Sequence, residues 1–299
     1  MKKLVALLSA LFFTFSYAQE QQMPKQIKFT AHNKGKFYFF WGGNRDSYTK
    51  SDIHFKGDNY DFTVYNAVAD DKPKGWHVDY VNPSRMTIPQ TNFRMGYFIS
   101  DHYNISIGVD HMKYVMRQYQ VANVTGNVNL PATDPGSIYN NPNGLPYNNT
   151  PVNFSTNYID YDHGTPFPFL TFEHTDGLNY VNTEISRFDD VSNILKIGNT
   201  DKFQINLTEG IGGGFLYPKT NAQILGNKRH DDFHVSGYGV SAKVGLNFTI
   251  YKYFFIQTEL KGGYINMPDI RTTAVTNDTA SQHFMFFERV IAFGGIFNI

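Results

Sequence analysis

Residues 237–250 read GYGVSAKVGLNFTI, and their two-residue alternation is unbroken. Tyr238, Val240, Ala242, Val244, Leu246, Phe248 and Ile250 fall on one face, while Gly237, Gly239, Ser241, Lys243, Gly245, Asn247 and Thr249 fall on the other. Successive side chains of an extended chain point to opposite faces, so this is a strand with one wholly apolar and one polar face. It is longer than an ordinary globular strand and suits a tilted bilayer crossing. Spanning strands must satisfy every backbone group among themselves, which only a closed barrel achieves. The stretch therefore predicts an all-β chain, a transmembrane antiparallel up-and-down barrel.

The same period recurs on both sides. Residues 202–217 place Phe203, Ile205, Leu207, Ile211, Phe215 and Tyr217 on one face, interrupted by Glu209. Residues 254–266 set Phe254, Ile256, Leu260 and Tyr264 against Gln257, Glu259, Lys261 and Gly263. Residues 90–99 alternate Phe93, Met95, Tyr97 and Ile99 with polar partners, break at 100–103, and resume with Ile105, Ile107 and Val109, a hairpin pattern. Beyond His111 the apolar positions become Met112, Tyr114 and Met116, which reads as a bulge or the end of the lipid-facing zone. The stretch FERVIAFGGIFNI (287–299) supplies an aromatic-rich closing strand.

Short connections at 100–103, 197–201 and 251–253 alternate with long ones at about 46–89, 121–176, 218–235 and 267–281. Short periplasmic turns and long external loops are the habit of outer-membrane barrels. The count is eight strands, the first at 35–45 and the fourth at about 178–191. DIHFKGDNYDFTVYNAV (52–68) is itself strand-like and would raise the count to ten if it crossed the bilayer. Asp58, Asn59, Asp61 and Asn66 would be costly against lipid, which favours a β-structured external loop. The Pro/Asn/Gly-rich stretch 129–153 reads as a flexible loop tip.

The N-terminus, MKKLVALLSALFFTFSYAQ, has the charged start, short apolar run and small-residue exit of a secretory signal peptide over 1–18. Residues 19–299 then form one barrel domain, with no periplasmic domain expected after the closing strand. The chain holds no cysteine, which removes disulfides and thiolate chemistry. Its 27 Phe, 20 Tyr and 25 Gly suit a barrel, and a mean hydropathy of -0.38 follows because only alternate residues meet lipid. Twenty-six basic residues balanced by 26 acidic ones, on an exported chain, argue against a nucleic-acid partner. No cofactor is indicated.

An eight-stranded interior is just wide enough to be filled by side chains. The alternation sends Arg94, Asp110, Glu184, Lys243, Glu259, Lys261 and Glu288 into it, a mixed set that must pair if occluded. A salt-bridge plug is the expectation, with a gated ion path as the alternative. Glu209 and Arg289 fall on lipid-facing positions, where a bulge is expected to re-aim them. For chemistry, His111 beside Asp110, and His174 with Asp176, lie near external strand ends where a lipid hydrolase would need a base and a carboxylate. No serine partner is indicated, so interfacial hydrogen bonding is the simpler reading. His230, Asp232 and His234 could ligate a divalent cation, although their spacing matches no standard site.

The segments WGGNRDSYTKSDIHFKGDNYDF (41–62) and FRMGYFISDHYNISIGVDHMKYV (93–115), with the closing strand, resemble the outer-membrane β-barrel proteins of the Bacteroidota, OmpA-like barrels without a periplasmic domain. The resemblance implies integral outer-membrane location, contact with outer-membrane lipids, and insertion by the barrel-assembly machinery through the C-terminal strand. For function it implies a structural role or binding of an external protein or glycan through the loops. A lipid hydrolase and a narrow solute pore are the alternatives.

Overall fold

The computed structural model describes residues 32–75, 77–81, 89–154 and 168–298. The expected signal peptide and the terminal Ile299 lie outside the described residues. The framework consists of β1 (Lys36–Tyr48), β5 (Thr91–Phe98), β6 (Tyr103–Met116), β9 (Leu170–Asp190), β10 (Phe203–Leu216), β13 (Gly237–Ile250), β14 (Phe254–Arg271) and β15 (Thr279–Asn298). These pair antiparallel in that order, and β15 pairs back onto β1 from Lys36↔Asn298 to Tyr48↔Phe286. Each strand thus has a partner on both sides, and the ladder closes on itself. β13 has the bounds that its alternation predicts; β9, β14 and β15 begin or end well beyond theirs.

Register fixes the slant of the strands. Stepping across paired residues from Phe37 through Tyr97, Ile105, Ile185, Ile211, Ala242, Gly262 and Phe287 leads to Ser47, ten residues farther along β1. All these residues face outward, and the outer face carries exposed Phe39, Met95, Ile107, Ile185, Ile211, Val240, Leu260, Ile291 and Phe293. The ladders run without a register shift through Glu209 and Arg289, so the expected bulges do not form and both side chains stay on the outer face. Glu209 lies opposite Arg187, whose charge answers it.

The remaining strands extend this framework past one rim: β2 (Ser51–Gly57), β3 (Tyr60–Ala67), β4 (Ala69–Asp70), β7 (Val121–Val128), β8 (Tyr147–Asn153), β11 (Lys219–Ile224) and β12 (His230–Phe233). The order β15-β2-β3-β7-β8 runs from one side, β11 and β12 add to β9, and β4 adds to β6. The 52–68 segment is therefore a hairpin whose described strand pairing with the framework is between β2 and residues 279–282, outside the closed ladder. Its acidic and amide side chains face water: Asp61 is exposed and bonds His54 at 2.7 Å.

Stretch 129–153 departs from its reading as a loose tip. It holds β8 and two short 3-10 turns, Pro135–Tyr139 and Pro142–Gly144. Leu130 and Tyr147 are buried, and Asn140 fixes Leu130 by accepting from its N–H at 2.7 Å and donating to its carbonyl at 2.9 Å. These extension strands bury a large apolar core that includes Ile53, Phe55, Phe62, Val64, Tyr114, Phe169, Phe172, Ile224 and Met267. A second, smaller cluster of Tyr38, Phe40, Phe98, Phe188, Phe255 and Ile296 fills the framework at the end of the short turns.

Candidate functional site

Between the two apolar clusters lies a buried polar layer that unites all seven predicted lumen charges. Asp110 and Glu184 sit at its centre. The Arg94 guanidinium approaches Glu184 at 3.0 Å and Asp110 at 3.6 Å. Lys261 Nζ lies 2.7 Å from Asp110, 3.0 Å from Glu184 and 3.8 Å from Glu288. Lys243 Nζ bridges Glu184 and Glu259, at 2.7 Å each. Arg94, Lys261 and Glu288 expose 1 % or less of their surface, so these contacts are made away from water.

Neutral amides complete the network, and the charge pattern gave no signal for them. Asn92 donates to both Asp110 and Glu288 at 2.8 Å. Asn182 accepts from Arg94 at 2.8 Å and donates to Asp110 at 2.9 Å, and Gln257 donates to Glu259 at 3.0 Å. The inward parity of these residues, the same as that of the charged ones, was the available clue. Three cations face four carboxylates here, and the amide donors make up hydrogen bonds that cations do not supply. Arg94 is placed for this by Gly108, where an added Cβ would press on its guanidinium.

The layer is sealed on both sides. On the short-turn side the aromatic cluster closes beneath it, and Tyr38 donates to Asn104 at 2.8 Å. The cavity between that cluster and Lys243 measures about 20 Å³, roughly the room for a single water. On the other side the extension core covers it.

The histidine candidates do not assemble. Asp110 faces the interior and His111 the outer face, where its Nδ1 lies 2.7 Å from Asn179 Oδ1. His174 is enclosed in the extension core against Phe172 and Tyr114, with Nδ1 3.0 Å from Thr220 Oγ1 and Nε2 3.1 Å from Gln282. Burial pushes its imidazole down to about 3. Asp176 is exposed and pairs with Lys219 at 3.7 Å. No hydrolytic dyad follows from this arrangement. Of the candidates His230, Asp232 and His234, His234 pairs with Asp269 at 2.8 Å and Asp232 accepts from the Phe233 N–H. Among the described residues no group of three His, Cys, Asp or Glu is placed to hold a metal ion.

No protein-family model and no curated protein matches the chain. Among solved structures it is similar to OprG from Pseudomonas aeruginosa, at 10 % identity and TM-score 0.35 over 91 % of this chain and 100 % of that one. It is also similar to Ail of Yersinia pestis, at 7 % identity and TM-score 0.30 over 88 % and 99 %, and to Neisserial surface protein A, at 9 % and 0.26 over 85 % and 96 %. Both the identities and the TM-scores are low, and the fold is carried by the strand pairings themselves.

Proposed function

We propose that the chain is an integral outer-membrane β-barrel of eight spanning strands, plugged through its lumen, that presents a packed external domain for structural support or recognition at the cell surface. One observation supports this reading above the others: on the side away from the short turns, the inner face passes from the charged layer to apolar residues at a single level. In β6 the inward series runs Ser106, Gly108, Asp110, then Met112, Tyr114 and Met116; in β15 it runs from Glu288 to Phe286 and Phe284. β14 passes from Lys261 through Gly263 to Ile265 and Met267, and β9 from Glu184 through Asn182 to Tyr180 and Leu178.

The level can be placed. Ten residues at about 3.3 Å against eight strand spacings of about 4.8 Å give a tilt of about 40°. The outward line from Phe37 to Ser47 therefore climbs about 25 Å, the height of the apolar band of such barrels. The inner reversal falls at the top of that climb, beside Ser47. Below it the outside is apolar, as lipid requires, and the inside holds the polar layer over the aromatic cluster; above it the inside is apolar and the outside polar, as water requires. Phe37, Tyr97, Tyr103 and Phe297 ring the lower edge, with Tyr238 and Tyr264 at the upper. The closing strand β15 also carries the aromatic pattern through which the insertion machinery would take the chain.

A plugged lumen with a packed external domain excludes solute passage and leaves outward surfaces as the working parts. Reconstitution in planar bilayers tests this. Inserted protein, identified by its heat-shifted mobility, should show no channel steps. Regular single-channel conductance would overturn the plug, and failure to insert would overturn the barrel.

A further inference from the structure

At the upper end of the polar layer the inner face of β1 adds carboxylates that the lumen cations do not balance. Asp46 is the direct cross-strand partner of Glu288, and both are buried on the same inner face. Like charges set opposite one another across a strand pair repel. Lys261 reaches Glu288 at 3.8 Å, but it serves Asp110 and Glu184 at shorter distances. Asp71 joins the pair from the external side: it accepts from the Asp46 N–H at 3.0 Å, and Gln90 Nε2 donates to Asp46 at 2.9 Å and to Asp71 at 2.5 Å. Among the described residues the hydrogen-bond donors to Asp46 and Asp71 are neutral N–H groups. Burying a carboxylate without a counter-charge is costly.

Oxygen atoms are what this group leaves unsatisfied. Asp46 Oδ1 and Glu288 Oε2 are enclosed without a hydrogen-bond donor, and so are the side-chain oxygens of Asn44 and Gln90. Both amides expose 1 % or less of their surface and are tied to the acids. Gln90 donates to Asp46, and Asn44 donates to Asn92, which in turn donates to Glu288 at 2.8 Å. An enclosed acceptor without a donor carries its full desolvation cost, and four on adjoining side chains, two charged and two neutral, call for a cation. All are hard oxygen donors, the ligand type of calcium and magnesium. Calcium accepts an irregular mixture of carboxylate and amide oxygens, whereas magnesium demands a near-ideal octahedron. The donors here come from β1, β15 and the residue before β5, and they combine two acids with two amides rather than three acids.

We propose that Asp46, Glu288, Asn44 and Gln90 bind one calcium ion, which neutralises the opposed acids and ties β1 to β15 and to the start of β5 at the upper end of the lumen. Asp71 is half-buried and residues 72–75 beyond it are exposed, so the ion enters from the external side past a carboxylate. The direction of entry rests on the membrane-barrel reading above, and the site itself on the closed ladder.

The test uses the full chain inserted in phosphatidylcholine vesicles, stripped with EDTA and titrated with calcium chloride by equilibrium dialysis at neutral pH. The parent protein should bind one calcium per chain with a Kd below about 1 mM, the weak end of the range for extracellular calcium modules. Asp46→Asn and Glu288→Gln should each weaken binding by about tenfold or more, and Gln90→Met, which removes an amide oxygen but no charge, by a smaller factor. Asp201→Asn, which removes an acid paired with Lys252 at the short turns, should leave it unchanged. Magnesium in about tenfold excess should displace little of the calcium. Parent protein that takes up no calcium overturns the proposal, since the opposed acids would then share a proton instead. Binding that survives both acid substitutions undiminished overturns it as well. Heat-shifted mobility checks the insertion of each variant, and Gln90→Met carries the comparison where an acid variant does not insert. Failure of the barrel reading shows separately, as parent protein that never enters the vesicles.

Discussion

Lys261→Met should be among the costliest single changes in the lumen, and the reason lies in what it strands. Lys261 Nζ touches three carboxylates, Asp110, Glu184 and Glu288. Asp110 and Glu184 keep Arg94, and Glu184 keeps Lys243, but Glu288 is left with Asn92 alone. Two cations would then face four buried carboxylates. Removing one partner of a buried pair costs about 3–5 kcal/mol, and the upper part of that range is expected here because Glu288 also lies across the strand pair from Asp46, another buried acid. Glu288→Gln should behave in the opposite way. It loses a 3.8 Å ion pair, can keep the Asn92 contact through its amide oxygen, and balances three cations with three anions. Its cost should stay within about 1 kcal/mol. The double variant should recover about 1–3 kcal/mol relative to the sum of the singles, since the two residues share one network. Urea unfolding in vesicles, read by far-UV circular dichroism and by loss of heat-shifted mobility, gives all three values. A Glu288→Gln cost equal to that of Lys261→Met, with additive effects, would refute the account of an anion-rich network held by its lysines.

Other outcomes follow from the layers on either side. The His174 imidazole is held down to about 3 by burial, against 6.5 unfolded. Stability from that depressed value is full above 6.5 and is lost as pH falls toward 3, at about 1.4 kcal/mol per unit; amide exchange of the external domain should quicken below pH 6, and His174→Gln should flatten the response. Phe62→Ala removes a buried ring that packs on Phe55 and Phe169 and should cost about 3–5 kcal/mol in the external domain, seen as proteolysis of the loops while the heat-shifted band persists. Gly96→Leu would drive a side chain into the Tyr38 ring, breaking its bond to Asn104 and costing about 1–3 kcal/mol by overpacking; unchanged urea unfolding would show that the aromatic layer is looser than its contacts imply.

Strand identity and facing were legible because two solvents impose two sides on every crossing. Val240, Val244 and Leu246 are exposed while Ser241, Lys243 and Asn247 are buried, as the alternation of 237–250 requires. The seven lumen charges converge for the same reason: parity sends them inward, and closure of the ladder brings β5, β6, β9, β13, β14 and β15 within reach of one another. Parity cannot give proximity between parts on opposite faces. Asp110 and His111 are neighbours in the chain and strangers in space, and the same limit separates His111 from His174.

The external domain was the larger omission, and it turns on how one pattern is read. Met112, Tyr114 and Met116 look like a change of face when apolar is equated with outward. They keep the parity of Ser106 and Asp110, and all three are fully buried. The face stays the same; on the proposed reading it is the solvent beyond the outer face that changes, so the apolar residues pass from the outer face of the ladder to its inner one. Ile53 and Phe55, and likewise Tyr60, Phe62 and Val64, obey this inverted rule along β2 and β3. The true register break lies opposite Lys113, where β9 inserts residues between His174 and Leu178, among them Gly177 at φ 131. On the proposed membrane reading, a bulge there lets β9 pass from lipid to water without losing its place between β6 and β11. On the proposed barrel reading, a sequence test for membrane depth is therefore the position along each strand at which apolar residues exchange parity, which here falls beside Ser47, Met112, Leu178, Ile265 and Phe286.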